Sequence, residues 1–407
     1  MVIQKTYRAL YLILSLFILG LVTSCSEVPV IETPEPTTPD NALDHYINND
    51  DTTYTWELKN TYTINSVQAY DLLLTSQTWQ GHKWIHQLTI LVPAVTIYDD
   101  ALLYITGGSV HNGEVTFKGV NDGEATAMAY LALMNQAVVV VLRQVPLQPL
   151  YEGKYEDELI SHTLHQYILD GDLTWPLLFP MTKSAVRAMD ATQEYTEQEL
   201  NLSIDEFVVT GASKRGWTTW LTGASDNRVK AIAPMVIDML NIPESIPYHL
   251  ETWGSYSYQI QDYVDLGLTE ELTGTGGPGT DLVKMIDPYS YRDVLTMPKL
   301  ILLGTNDPYW PVDVIKHYYD DIPGKNLIHY VPNAGHDLDL DNNLQSIWAL
   351  NSFFAITISN NEYPDCDWVT SETNDSYTLT VNATADKLVD ATYWSTTSST
   401  RDFRNSI

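Results

Sequence analysis

The chain of 407 residues has only two cysteines, Cys25 and Cys366. Two thiols allow one disulfide at most, and none if Cys25 is acylated, so stability has to come from a buried core. Cations are scarce too: 21 Lys and Arg stand against 52 Asp and Glu, a formal net charge of −31. A surface of that sign repels phosphate backbones and anionic headgroups, which excludes nucleic acid and direct lipid adsorption as partners. No apolar run reaches the roughly 20 residues that a membrane span needs. What is present is a 44% hydrophobic composition, enough for one large domain and a small appendage.

The N-terminus carries an export pattern. Lys5 and Arg8 precede the apolar stretch "ALYLILSLFILGLV" from Ala9 to Val22, and "VTSC" follows, ending at Cys25. That order matches a signal peptide over residues 1–25. "VTSC" resembles a bacterial lipobox, which implies lipidation at Cys25 and a protein anchored in the cell envelope by acyl chains alone. Residues 26–51 hold Pro29, Pro34, Pro36 and Pro39 among Thr and Glu, and read as a tether between anchor and domain.

From residue 52 to 359, short apolar runs alternate with amphipathic stretches. Strands are expected at Gln87–Ala94, Ala101–Gly108, Gln136–Pro146, Glu206–Gly211, Val229–Asp238, Pro298–Asp307 and Asn326–His336. Helices are expected at Glu124–Met134, Asp157–Leu169, Met181–Leu200, Trp217–Ala224, Val312–Tyr319 and Leu344–Ala355. The strand runs are continuously apolar, as in a mainly parallel sheet covered on both faces, so the fold class is α/β. Residues 241–291 break the rhythm and read as a cap-like insertion over the carboxyl edge of the sheet, where such domains bind ligands. Residues 360–407 are Thr-rich and alternating, with "YTLTVNA" and "DATYWST" as strands. They are too few for a free-standing sandwich, and are expected to be a partial, truncated β module.

The chemistry concentrates at strand ends. Ser213 in "VVTGASKRGWTTW" lies between a buried strand and a helix, where a nucleophile would be exposed beside first-turn N–H groups. Its alternative role is a helix cap. Asp307 ends "KLILLGTND" and faces the same edge; it could instead cap the turn near Pro311. His336 follows the last core strand in "VPNAGH". Ser, acid and His in that order fit a serine hydrolase of α/β type. Gly107 and Gly108 in "YITGG" would supply further oxyanion donors or form a plain turn.

The segments "TGASKRGWTTWLTGASDNRVKAIAPMVIDMLN", "DLTWPLLFPMTKSAVRAMD", "LLGTNDPYWPVD" and "VPNAGH" resemble the PhoPQ-activated pathogenicity-related protein family, from about Asn48 to the C-terminus. The resemblance implies an α/β-hydrolase fold with Ser213 as nucleophile, Asp307 as acid and His336 as base. It implies a hydrolase of undefined substrate, whether small molecule or peptide, and a longer C-terminal β module than this chain has. The usual elbow is G-x-S-x-G, whereas here the second glycine comes one residue late, at Gly216. Glucuronoyl esterases resemble this stretch locally, with a cation after the Ser and a nearby Arg on the oxyanion. Lys214 and Arg215 could act likewise, or be a solvated pair on the helix's first turn.

No cofactor or metal is expected. The glycines of Thr273–Asp281 have no strand before them and no GK[ST] after, so they form no phosphate cradle. His162 and His165 share a helical face without a third ligand. "DLDLDNN" (residues 337–343) lacks the Gly and the final Glu of a calcium loop. An ester or amide hydrolase is the leading reading, and a catalytically idle extracellular binding or signalling protein the alternative.

Overall fold

The computed structural model describes residues 35–340 and 344–404, so the signal peptide, Cys25 and the first part of the tether lie outside the described residues. Regular structure begins sooner than the composition suggests. Helix α1 (Ala42–Ile47) falls inside the stretch read as tether, and it buries Ala42, Leu43, Tyr46 and Ile47. That spacing gathers the four on one helical face. The Tyr46 hydroxyl donates to Gln77 Oε1 at 2.9 Å, which fixes the helix to the body. The tether reading fails from residue 42 onward.

Three long antiparallel strands follow: β1 (Thr55–Ile64), β2 (Val67–Trp79) and β3 (His82–Pro93). The β1–β2 register shifts between Leu58 and Asn60, leaving Lys59 as a bulge in the outermost strand. Next come β4 (Asp100–Ile105), the short pair β5 (Val110–His111) and β6 (Glu114–Val115), helix α2 (Gly123–Asn135) and β7 (Val138–Leu142). Helices α3 (Glu156–Asp170) and α4 (Leu178–Leu200) lead to β8 (Glu206–Ala212), α5 (Lys214–Ser225) and β9 (Val229–Met235). Five short helices then occupy the insertion: α6 (Ile242–Ser245), α7 (Tyr248–Trp253), α8 (Gln261–Val264), α9 (Leu268–Thr273) and α10 (Pro278–Ile286). The chain returns through β10 (Lys299–Gly304) and β11 (Asn326–Val331) to α11 (Gln345–Ile358), and then to the hairpin β12 (Cys366–Glu372) and β13 (Tyr377–Ala383).

Among the described residues, nine strands form one sheet in the order β1-β2-β3-β7-β4-β8-β9-β10-β11. From β7 to β11 every neighbour is parallel. Alternation explains the continuous apolar runs. Val138, Val140 and Leu142 enter a core with α3, α4 and α5, while Val139 and Val141 enter a second core with α2 and α11. Both faces of the strand are dry, and all five of its residues are apolar. The fold is a mostly parallel α/β sheet with helices on both sides and a small antiparallel pair near the C-terminus.

Two expected elements differ. The helix expected at Val312–Tyr319 is two 3₁₀ turns, Val314–His317 and Tyr319–Asp321. Tyr318 between them leaves helical geometry (φ −146°), and its hydroxyl donates to the buried Asp238 at 2.7 Å. The strand expected at "DATYWST" does not form; β13 pairs with β12 instead, and the later stretch has no partner to complete a ladder. Among the described residues no helix is long and apolar enough to cross a membrane.

Candidate active site

The chain runs from β4 outward to β7, then crosses to β8 on the other side, so β4 and β8 are adjacent where the winding reverses. A crevice opens beyond strand ends at such a point. Ser213 sits there, directly after β8 and before α5. Its backbone is at φ 59°, ψ −126°, a region that costs a non-glycine residue about 1–3 kcal/mol. The Ser213 N–H donates to Met235 O at 2.8 Å, and Trp217 N–H donates to Ser213 O at 2.9 Å, which holds the turn in place.

The displaced glycine has a steric cause. A Cβ on Gly216 would lie 2.8 Å from Met235 O and from Ile237 Cγ2, so Gly216 is where α5 presses on the end of β9. A Cβ on Gly211 would meet Arg215 at 2.8–2.9 Å. The position two after Ser213 can therefore carry a side chain, because Gly211 makes room for it. The packing that G-x-S-x-G provides is shifted by one residue along the helix.

The structure brings Ser213, Asp307 and His336 together. His336 Nε2 is 2.8 Å from Ser213 Oγ, and Nδ1 is 2.8 and 3.0 Å from the two Asp307 oxygens. A carboxylate can only accept, so Nδ1 carries the proton and Nε2 accepts from the Ser213 hydroxyl. Asp307 is 5% exposed, and also accepts the Tyr309 N–H at 2.8 Å. The helix-cap alternative for Ser213 does not describe it: its side chain makes no cap bond. Asp313, a carboxylate six residues beyond Asp307, accepts from the Tyr248 hydroxyl at 3.0 Å and pairs with Lys316 and Arg401.

Lys214 and Arg215 are not a solvated pair. Arg215 makes a two-bond fork to Glu156, both at 2.6 Å, and its Nε–H donates to Val145 O. Lys214 is buried and donates to Asp157 at 2.9 Å, with Glu156 at 3.2 Å. Burial pushes the Glu156 carboxyl up, but the Arg215 fork and Lys214 outweigh it and hold the group at about 2. Both side-chain charges are thus engaged with carboxylates. Gly107 serves this arrangement, since a Cβ there would strike the Arg215 guanidinium at 2.8 Å. Gly108 has φ 134° and lies against Gln144.

Three residues in the site were not singled out from sequence: Tyr309, Asp157 and Glu156. The Tyr309 ring stacks on His336, centroids 4.1 Å apart at 30°, and its hydroxyl donates to Asp157 at 3.1 Å. Tyr263 donates to the other Asp157 oxygen at 3.1 Å. A second Ser–His contact, Ser76 Oγ to His86 Nε2 at 2.9 Å, is fully buried, and His86 Nδ1 faces the Arg143 carbonyl instead of a carboxylate. It belongs to the core.

A family model described as PhoPQ-activated pathogenicity-related protein matches residues 43–404. The autocrine proliferation repressor protein A of Dictyostelium discoideum is 33% identical over 370 residues, covering 88% of this chain and 70% of that protein. Among solved structures, acetyl xylan esterase 1 from a Thermoanaerobacterium species superposes with a TM-score of 0.52 at 18% identity, over 80% of this chain and 95% of that one. An acetyl xylan esterase from a Paenibacillus species gives 0.50 at 14% identity, over 79% and 96%. At such identities the likeness is one of fold.

Proposed function

We propose that this chain, which belongs to the PhoPQ-activated pathogenicity-related protein family, is a serine hydrolase that cleaves an ester or amide bond through an acyl-enzyme. The observation that carries the reading is the unbroken line of contacts Asp307–His336–Ser213. Ser213 Oγ attacks the carbonyl carbon while its proton passes to His336 Nε2. The new C–O bond forms, and the carbonyl electron pair moves onto oxygen. The Nε2 proton then goes to the leaving atom as its bond to the acyl carbon breaks. Water repeats the sequence and releases the acid. Asp307 keeps the proton on Nδ1 and stabilises the imidazolium. The first-turn N–H of Lys214, with Gly107 and Gly108 after β4, is the proposed support for the oxyanion.

A fluorophosphonate probe tests this. Wild-type protein is expected to be labelled and Ser213→Ala to be folded and unlabelled. Labelling that persists in that variant, or is absent from the wild type, would remove the reading. The name of the Dictyostelium relative favours a second reading, an extracellular signalling protein with an idle site, and an unlabelled wild type is the outcome that favours it.

Export and lipid anchoring at Cys25 rest on the sequence pattern and are proposed with the enzyme. Cys25→Ser is expected to move the protein from the membrane fraction to the soluble one. A wild type already soluble would refute the anchor and leave the hydrolase standing.

A further inference from the structure

Ser213 opens onto a cavity walled by Trp217, Ile237, Ile246, Ile260, Leu272 and Trp310, each of them at most 8% exposed. Trp217 comes from the helix that follows Ser213 and Ile237 from just beyond β9. Ile246, Ile260 and Leu272 come from the helical insertion. The cavity measures about 50 Å³. A single water needs roughly 10–15 Å³ on this scale, so the space suits a small group and not a long chain.

The chemistry of the reaction decides which half of a substrate belongs there. His336 delivers its proton to the leaving atom, so the leaving group lies on the imidazole side. His336 does not line this cavity; it lines a separate one of about 360 Å³ with Ala212, Met235 and Glu124. The smaller cavity is lined by Ser213 and Lys214, the nucleophile and the start of the helix whose N–H groups face a developing oxyanion. That is the acyl side.

The charged groups of the wall are already paired. Asp157 accepts from the Tyr263 and Tyr309 hydroxyls and from Lys214, and Lys214 also reaches Glu156. A charged acyl group entering here would lose its water and meet no free counter-ion, which is costly.

Resting on the serine-hydrolase reading above, we propose that the substrate carries a short, uncharged aliphatic acyl group of about three to five carbons, held between α5 and the inserted helices. Long fatty acyl chains, aromatic acyl groups and acyl groups with a free carboxylate are excluded by size or by desolvation.

The test is a series of p-nitrophenyl esters from acetyl to dodecanoyl, with the hemisuccinate as the charged member. The expected wild-type kcat/KM peaks between propionyl and pentanoyl and falls about tenfold or more by octanoyl. Leu272→Ala enlarges the wall and is expected to raise octanoyl over butyryl about tenfold relative to wild type. The wild-type profile decides the matter even if that variant does not fold. Fluorophosphonate labelling of Ser213 with a flat profile, a maximum at octanoyl or beyond, or a preference for hemisuccinate would overturn the acyl assignment alone. A folded Leu272→Ala with an unchanged profile would do the same. Absence of both labelling and ester hydrolysis would overturn the hydrolase reading and the acyl assignment with it.

Discussion

Tyr309 reaches the site in three ways. Its N–H donates to Asp307, its ring stacks on His336, and its hydroxyl donates to Asp157. In the proposed mechanism an imidazolium forms in the transition state, and an aromatic face at this distance favours that cation. Tyr309→Phe keeps ring and N–H and loses one hydrogen bond, so turnover should fall less than about tenfold. Tyr309→Ala removes the stack, and turnover should fall about tenfold to a hundredfold. Steady-state kinetics of both variants decide it: an alanine variant as active as the phenylalanine one would deny the ring any role. Ser213, Asp307 and His336 were legible in sequence because each follows an apolar run, and a run's end fixes a position on the sheet edge. Asp157 and Glu156 were not legible. Their partners Lys214, Arg215 and Tyr309 are far along the chain, and only the fold brings the start of α3 to the start of α5 and to the loop after β10.

Helix α5 shows how an element can run against its own propensity. In an isolated helix, alanine in place of Gly216 would be favoured by about 1 kcal/mol. Here the added Cβ meets a backbone carbonyl that cannot withdraw, since Met235 O already accepts from the Ser213 N–H. Gly216→Ala is therefore expected to destabilise by about 1–3 kcal/mol and to slow probe labelling of Ser213. Chemical denaturation measures it, and a variant at least as stable as wild type would deny the close approach. The parallel strands were legible because both faces are apolar. Strands β1 and β2 were not expected, for a related reason. Buried Asp71, Thr75, Ser76 and Gln77 interrupt the apolar pattern of β2, and their cost is offset by partners on other elements, among them Thr89 and Gln87 on Asp71. Four of the five helices in the insertion span only four to six residues, too few to show a helical period.

At the scale of the whole molecule, burial leaves acidic groups that oppose folding as pH rises. Desolvation pushes Asp238 up from 3.8 to about 8; the Tyr318 hydroxyl pulls it down, and Asp307 and Asp313 add to the rise. The unfolded chain releases this proton near pH 3.8, whereas the folded chain keeps it to about pH 8. Between those values the folded state binds the extra proton, so stability falls as pH rises. Asp287, raised to about 7 by burial, acts in the same direction. Asp238→Asn keeps an acceptor for Tyr318 and carries no charge. Its melting temperature should match wild type near pH 4 and exceed it at pH 8. Two parallel curves across that range would show that Asp238 is ionised in the fold. The bulge at Lys59 bears on a different matter, the behaviour of many copies at once. Among the described residues strand β1 is the outermost of the sheet on its side, and its outer edge offers a row of backbone groups to any extended chain nearby. An incoming strand that tried to continue the ladder would lose register at Lys59 and meet a charged side chain there. On this edge, growth into fibrils is disfavoured by one residue inserted out of step.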